Sequence, residues 1–99
     1  MLTRLTLPAQ PLGYQQFAAG TMDAAVALTV PLGATYAIIQ CETQAVRMRD
    51  DGTNPTTATG VLLAVNTIYE LPGRLPAYKF ISAVAGAVMN ILYYGSGNA

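Results

Sequence analysis

The strongest constraint on the fold is the alternation of apolar and polar side chains between residues 36 and 49. Successive side chains of a β-strand point to opposite faces, so this alternation predicts two strands that each have one apolar face. Residues 42–45 separate the two strands and predict a tight turn, which makes the pair a hairpin. Asp50, Asp51 and Gly52 are expected to end it, because glycine accepts the positive φ that such a corner often needs. The predicted inward side chains of this hairpin are Ala37, Ile39, Cys41, Val46 and Met48.

Short strands separated by turns are also predicted along the rest of the chain. Turn residues recur roughly every eight to twelve positions, a spacing typical of small sandwiches and barrels. Alanines allow a helix over residues 22–28, but the residue before Pro31 is pushed towards extended backbone, which favours a strand. We predict an all-β fold, a small β-sandwich or jelly-roll-like barrel of about seven to eight strands. The further strands are predicted at residues 13–19, 24–30, 61–65, 67–71, 77–83 and 87–94, with Tyr69, Leu71, Phe80, Met89, Ile91 and Tyr93 pointing inward.

The chain is expected to form one domain with an extended segment at each end. Its 99 residues suit a single domain. Pro8 and Pro11 cannot donate to a central ladder, so residues 1–12 are predicted to be an extended N-terminal arm. Residues 13–94 are predicted to be the sandwich, and the glycine-containing residues 95–99 a flexible tail.

The composition predicts that this protein assembles. Hydrophobic residues make up 53% of the chain and charged residues only 10%, against about 25% charged in an ordinary soluble domain. A small domain has proportionally much surface, so part of that surface must be apolar, and contiguous apolar surface usually marks an interaction site. We therefore expect a homo-oligomer or a part of a larger assembly. The alternative is a monomer whose Ala, Thr and Gly residues cover the surface.

Charge and hydropathy argue against two classes of partner. Five basic and five acidic residues give a net charge of zero, and no basic run exists, so nucleic-acid binding has no support. The most apolar window, residues 80–92, is too short and too interrupted to span a bilayer, and no targeting segment is visible. No membrane association is expected. The single Cys41 cannot form an intrachain disulfide and is expected to behave as a small hydrophobe.

The side-chain inventory predicts that the protein is not an enzyme and needs no cofactor or metal. There is no histidine, the commonest general base and metal ligand. Ser82 and Ser96 are the only serines, and Cys41 has no histidine to activate it. The oxygens of Asp50, Asp51 and neighbouring polar residues suit Ca²⁺ in type, but the run does not match an EF-hand loop, and such residues usually cap their own backbone.

Candidate contact residues come from the arm, the hairpin and the last strand. Arg47 and Arg49 share one strand face and predict either surface ion pairs or a salt bridge to a neighbour. The adjacent Tyr93 and Tyr94 must face opposite sides of the sheet, so one lies in the core and the other is available to a partner. The polar loop at residues 53–59 is a further candidate. The complete set of predicted partner-binding residues is Leu2, Arg4, Leu5, Arg47, Arg49, Asp50, Asp51, Asn54 and Tyr94.

Three stretches of the sequence, residues 30–42, 45–60 and 80–94, carry a resemblance. Together they resemble a group of small phage-encoded virion structural proteins, and Arg47-Met-Arg-Asp-Asp-Gly-Thr53 with its Thr/Pro loop is the most distinctive part. The resemblance implies a phage origin and a capsid decoration, or cement, protein that stabilises the head. It implies a homotrimer on the capsid exterior, with the major capsid protein as partner, made in the host cytoplasm.

Two other functions stay open from the sequence. One is a tail or head–tail accessory protein, which would also be structural. The other is a module that binds host-surface carbohydrate through outward tyrosines and the Thr/Asn loop.

Overall fold

The computed structural model describes residues 10–95, in which eight strands form two antiparallel sheets. In chain order the strands are β1 (Gln10–Phe17), β2 (Val26–Ala27), β3 (Ala34–Glu42), β4 (Val46–Arg49), β5 (Val61–Leu63), β6 (Ile68–Pro72), β7 (Lys79–Ser82) and β8 (Val88–Gly95). The first sheet has the order β1-β8-β3-β6 and the second the order β2-β7-β4-β5. The predicted all-β fold is confirmed, and the two sheets are consistent with a small β-sandwich.

The core lies between the sheets and is built from the alternate residues of each strand. Ile39 and Cys41 of β3 and Met89 and Ile91 of β8 are fully buried. Phe80 of β7 comes from the second sheet and is also fully buried. The inward sets predicted for β3 and β8 are confirmed, because a period of two leaves only one way to bury an alternating strand.

The predicted hairpin between β3 and β4 is wrong, although both strands exist. β3 pairs with β6 and β8 in the first sheet, whereas β4 pairs with β5 and β7 in the second. Residues 43–45 therefore form a corner that carries the chain from one sheet to the other. Thr43 takes a left-handed φ of 68°, and its hydroxyl donates to the Gly86 carbonyl at 2.9 Å. The apolar faces of both strands meet the same core whether residues 43–45 close a hairpin or turn a corner between sheets. Alternation alone therefore does not distinguish the two arrangements.

Two other strand predictions are corrected. Residues 61–65 were predicted to be a short buried strand or a segment across the barrel mouth. They contain the short edge strand β5, whose Val61 and Leu62 are 59% and 52% exposed. The strand predicted at residues 24–30 is reduced to Val26–Ala27, although Leu28 is buried.

The first strand begins before position 13, the predicted end of the arm. Gln10 and Pro11 pair with Gly95 and Tyr94 of β8, and a register shift follows between Pro11 and Gly13. β1 is an edge strand, which suits the missing N–H of Pro11. The remainder of the arm, with Leu2, Arg4 and Leu5, and residues 96–99 of the tail lie outside the described residues.

Two short 3-10 turns, Thr21–Asp23 and Leu75–Ala77, add buried side chains that the strand pattern does not reveal. Met22 is fully buried and Leu75 is 1% exposed. A single apolar residue within a turn has no periodicity, so sequence reasoning had no signal for either residue.

Replacing Gly95 by Ala is expected to destabilise the fold by about 1–3 kcal/mol. A Cβ at this position would stand 2.5 Å from the Gly33 carbonyl oxygen and 2.7 Å from Leu12 Cδ1. Gly13→Ala is the matched control, because its Cβ would meet nothing closer than Pro31 Cγ at 3.8 Å. Urea unfolding of both variants tests this, and equal stabilities would show that the last strand does not pack closely against residues 31–34.

Candidate functional site

The outer face of the first sheet carries a row of apolar side chains in register across three strands. Tyr14 of β1 lies opposite Leu92 of β8, which in turn lies opposite Ile38 of β3. Tyr14 is 60% exposed and Leu92 is 43% exposed. Leu92 points to solvent because its chain neighbours Ile91 and Tyr93 are buried in the core, and Tyr14 lies on the same face as its cross-strand partner Leu92. The apolar excess of the composition therefore reaches the surface here.

Ile68 of the edge strand β6 extends this row and is 65% exposed. Together with Tyr14, Ile38 and Leu92 it lines a shallow depression of about 240 Å³, which Gln40 and Asn90 complete. Its size and openness suit a side chain of a docking surface better than an enclosed small molecule.

Tyr36 and Tyr94 stack at the next position along the same sheet face. Their ring centroids are 5.2 Å apart with an interplanar angle of 15°, and the two residues are cross-strand partners in β3 and β8. Tyr94 was predicted to face outward and does so, half-buried beside its partner. Each ring covers one face of the other, so the pair presents a fixed aromatic ridge. Below, the apolar face means Tyr14, Tyr36, Ile38, Ile68, Leu92 and Tyr94.

Asn90 organises the polar groups beside the apolar row. Its side-chain carbonyl accepts hydrogen bonds from the Tyr14 hydroxyl at 2.7 Å and from the Gln16 amide at 3.0 Å. Its own amide donates to the Glu42 carboxylate. These bonds hold the Tyr14 ring in one orientation, and a surface ordered before contact loses less entropy on binding.

The charges on the strands are divided between the two sheets. The strands of the first sheet carry Glu42 and Glu70 and no Lys or Arg, whereas those of the second carry Arg47, Arg49 and Lys79 and no Asp or Glu. Arg47 and Arg49 point outward, because the alternate Val46 is buried. Lys79 points outward for the same reason, since Phe80 is buried. The basic face below means Arg47, Arg49, Lys79 and the outward apolar residues Leu62 and Ile81.

Arg47 holds the loop at residues 53–59 against the basic face. Its guanidinium donates to the Thr57 carbonyl at 3.2 Å and to the Gly60 carbonyl at 3.0 Å. The loop has an anchor of its own in Pro55, which is buried, and in the paired Thr56 and Thr59. The sequence pattern assigns this loop to no strand, and these contacts give it a defined form with exposed threonines.

Arg49 is paired within its own chain. Its guanidinium donates to Asp51 at 3.1 and 2.5 Å, and this is the only ion pair within residues 10–95. The hydrogen bond from Arg49 lowers the pKa of the Asp51 carboxyl, and the same bond raises the pKa of Arg49. Asp51 also accepts from the Thr53 amide at 3.3 Å. Asp50 and Asn54 are exposed at this corner.

The predicted contact residues thus fall in different places. Arg47, Arg49, Asp50, Asp51 and Asn54 cluster around the second sheet, whereas Tyr94 lies on the first. Sequence reasoning missed most of the apolar face, namely Tyr14, Ile38, Ile68 and Leu92. A usable signal existed: within predicted strands, these apolar residues occupy the positions that alternation assigns to solvent.

Cys41 is fully buried in β3, and burial raises the pKa of its thiol to about 11. A thiol in the unfolded chain ionises near pH 8.5. Between these values the unfolded state loses its proton while the folded state keeps it, so stability should fall by about 3 kcal/mol as pH rises through the window.

Urea unfolding at pH 8 and pH 10.5 tests this expectation. Cys41→Ala should remove the alkaline loss that belongs to the thiol and leave only what the tyrosines contribute. The pKa of Tyr93 is also raised, to about 12, by burial. The contribution of the thiol is therefore the alkaline loss of stability in wild type minus the loss in Cys41→Ala. Identical alkaline slopes in both proteins would contradict the account.

Two further classes of site can be considered over the described range. Within residues 10–95 no group of three or more His, Cys, Asp or Glu side chains is placed to hold a metal ion. Over the same range no helix has the length and apolar character needed to cross a membrane.

Comparison of the sequence with protein-family models and with curated proteins gives no match.

Proposed function

We propose that this protein is a non-enzymatic structural component of a phage virion, a capsid decoration protein that binds the lattice of the major capsid protein from outside. The observation that carries the proposal is the apolar face, which presents an ordered apolar surface to solvent. An exposed apolar patch of this kind marks a protein contact. The resemblance of residues 30–42, 45–60 and 80–94 to phage virion proteins supports the biological setting.

Different surfaces of the protein make the two kinds of contact, with other copies and with the capsid lattice. Self-association uses the sheet faces, and the favoured oligomer is a trimer. Lattice contacts use the N-terminal arm and the exposed loop at residues 53–59, which Arg47 holds in place. An extended arm suits this role, because a strand added to a neighbour's sheet edge gains main-chain hydrogen bonds. The mechanical result would be additional contacts between capsomers that resist internal DNA pressure.

The second candidate is a tail or head–tail ring component. The opposite charges of the two sheet faces are compatible with it as well as with a trimer, because a contact between unlike faces can close into rings of different sizes. A carbohydrate-binding module is a weaker candidate, since the stacking of Tyr36 on Tyr94 already covers one of the two faces of each ring and leaves fewer ring faces for a sugar. A glycan array would test that alternative directly.

Quantitative mass spectrometry of purified particles of the encoding phage tests the proposal. A decoration protein should be present in copy numbers comparable with those of the major capsid protein. A small fixed copy number would instead indicate a ring at the tail or head–tail junction, and absence from particles would contradict a virion role. Deletion of residues 2–9, which leaves β1 intact, should reduce occupancy on expanded capsids if the arm contacts the lattice.

A further inference from the structure

We infer that copies of this protein associate head to tail, with the apolar face of one copy against the basic face of the next. The inference deepens the proposed structural function and rests on it, because it names the partner surface for the exposed apolar row. The occupant of the apolar face is a second copy of this chain. Charge complementarity between the two faces selects this arrangement over contact between like faces.

The sheet that carries the apolar face also carries the acidic side chains of the contact. Glu70 is exposed on the edge strand β6 and lies opposite Ile38 in the ladder. Glu42 at the end of β3 is half-buried and accepts from Asn90. Two such faces placed against each other would bring together surfaces whose strand charges are all negative, an arrangement that complementary interfaces avoid.

The basic face supplies the matching cations. Arg49 and Lys79 are direct cross-strand partners, and like charges in that position repel each other. Asp51 neutralises Arg49, which leaves Lys79 without an ion pair among the described residues. A carboxylate from another copy, placed beside Lys79, would give a network in which negative and positive charges alternate.

Apolar contact area is available on both sides. The basic face carries Leu62, which is 52% exposed, and half-buried Ile81 in register with Arg47. The opposite face carries Leu92 and Ile68. The contact therefore has an apolar centre with charged groups beside it, the usual anatomy of a protein interface.

A contact between two different faces is heterologous, so it either closes into a ring or continues as an open stack. A trimer is the smallest ring of this type, and the tilt between the two faces decides the number of copies. The contact should weaken as salt is raised, because its charged groups lie near the surface.

Two single charge reversals test the arrangement: Glu70→Lys on the apolar face and Lys79→Glu on the basic face. Both sites are at the surface, and Lys79→Glu places a carboxylate opposite Arg49, so the fold should survive. Thermal unfolding of each variant checks this. Sedimentation or light scattering then measures self-association over a range of concentrations and at two salt concentrations.

Each variant alone should associate about tenfold more weakly or worse, because each places like charges across the contact. An equimolar mixture should recover association, since the intact basic face of Glu70→Lys meets the intact apolar face of Lys79→Glu. A different result would show a contact between two apolar faces and overturn the inference. In that case Lys79→Glu would associate like wild type, and Glu70→Lys would recover association only when mixed with wild type. Unchanged masses for both variants would also overturn it. Neither outcome bears on the proposed virion role, which mass spectrometry of purified particles tests separately.

Discussion

Leu92→Arg is expected to abolish self-association at micromolar concentrations, a weakening of at least about 100-fold. Leu92 stands at the centre of the apolar row between Tyr14 and Ile38. A guanidinium there would be desolvated against apolar neighbours and would face the cations of the next copy. A loss of about 2.7 kcal/mol in binding corresponds to this factor, and central interface residues reach such values.

Leu32→Arg is the matched control for this experiment. Leu32 is 99% exposed in the turn after Pro31 and belongs to neither sheet face, so the same substitution should leave the solution mass unchanged. At concentrations where the protein is monomeric, the free energy of unfolding of both variants should lie within about 1 kcal/mol of wild type, because neither site lies in the core. Retention of the wild-type mass by Leu92→Arg would remove the apolar face from the account.

Ile39→Ala is expected to destabilise the fold by about 2–5 kcal/mol, the cost of deleting a buried aliphatic side chain and leaving a cavity. Ile39 is fully buried in the central strand β3. A domain of this size has a total stability of about 5–15 kcal/mol, so a large share of it would be lost.

Ile38→Ala supplies a control in the same strand and one residue away. Its side chain points outward, so removal should cost well under half as much in folding and should instead weaken self-association. Both variants are best compared at protein concentrations where the chain is monomeric, because association would otherwise add to apparent stability. Urea unfolding measures the difference. Equal costs for Ile38→Ala and Ile39→Ala would contradict the assignment of the two faces of β3.

The inward residues of the long strands were predictable from sequence because a strand has a period of two. Ile39, Met89 and Tyr93 all fall on the side that alternation assigns to the core, and all are buried. The turn at Gly52 was also predictable, since this residue takes a positive φ of 83°, as expected of such a corner.

The partner of each strand was not predictable in the same way. Residues 43–45 can close a hairpin or turn a corner between two sheets, and the apolar faces of β3 and β4 are satisfied in both cases. The corner depends on contacts with distant residues, such as the bond from Thr43 to Gly86. Such contacts leave no local pattern in the sequence.

The apolar face was only partly predictable. Low charge predicted exposed apolar surface, but its location required the register of β1, β8 and β3, which brings Tyr14, Leu92 and Ile38 into one row. Segregation of charge between the faces likewise appears only once each strand is assigned to its sheet. The phage setting and the capsid partner stay predictions.

Light scattering of the purified protein across a concentration series measures directly whether copies associate through the two sheet faces. We expect a defined oligomer of three or more copies, or a stack that grows with concentration, and in both cases a mass that falls as salt is raised. A monomer at every concentration and salt condition would contradict self-association through the two sheet faces.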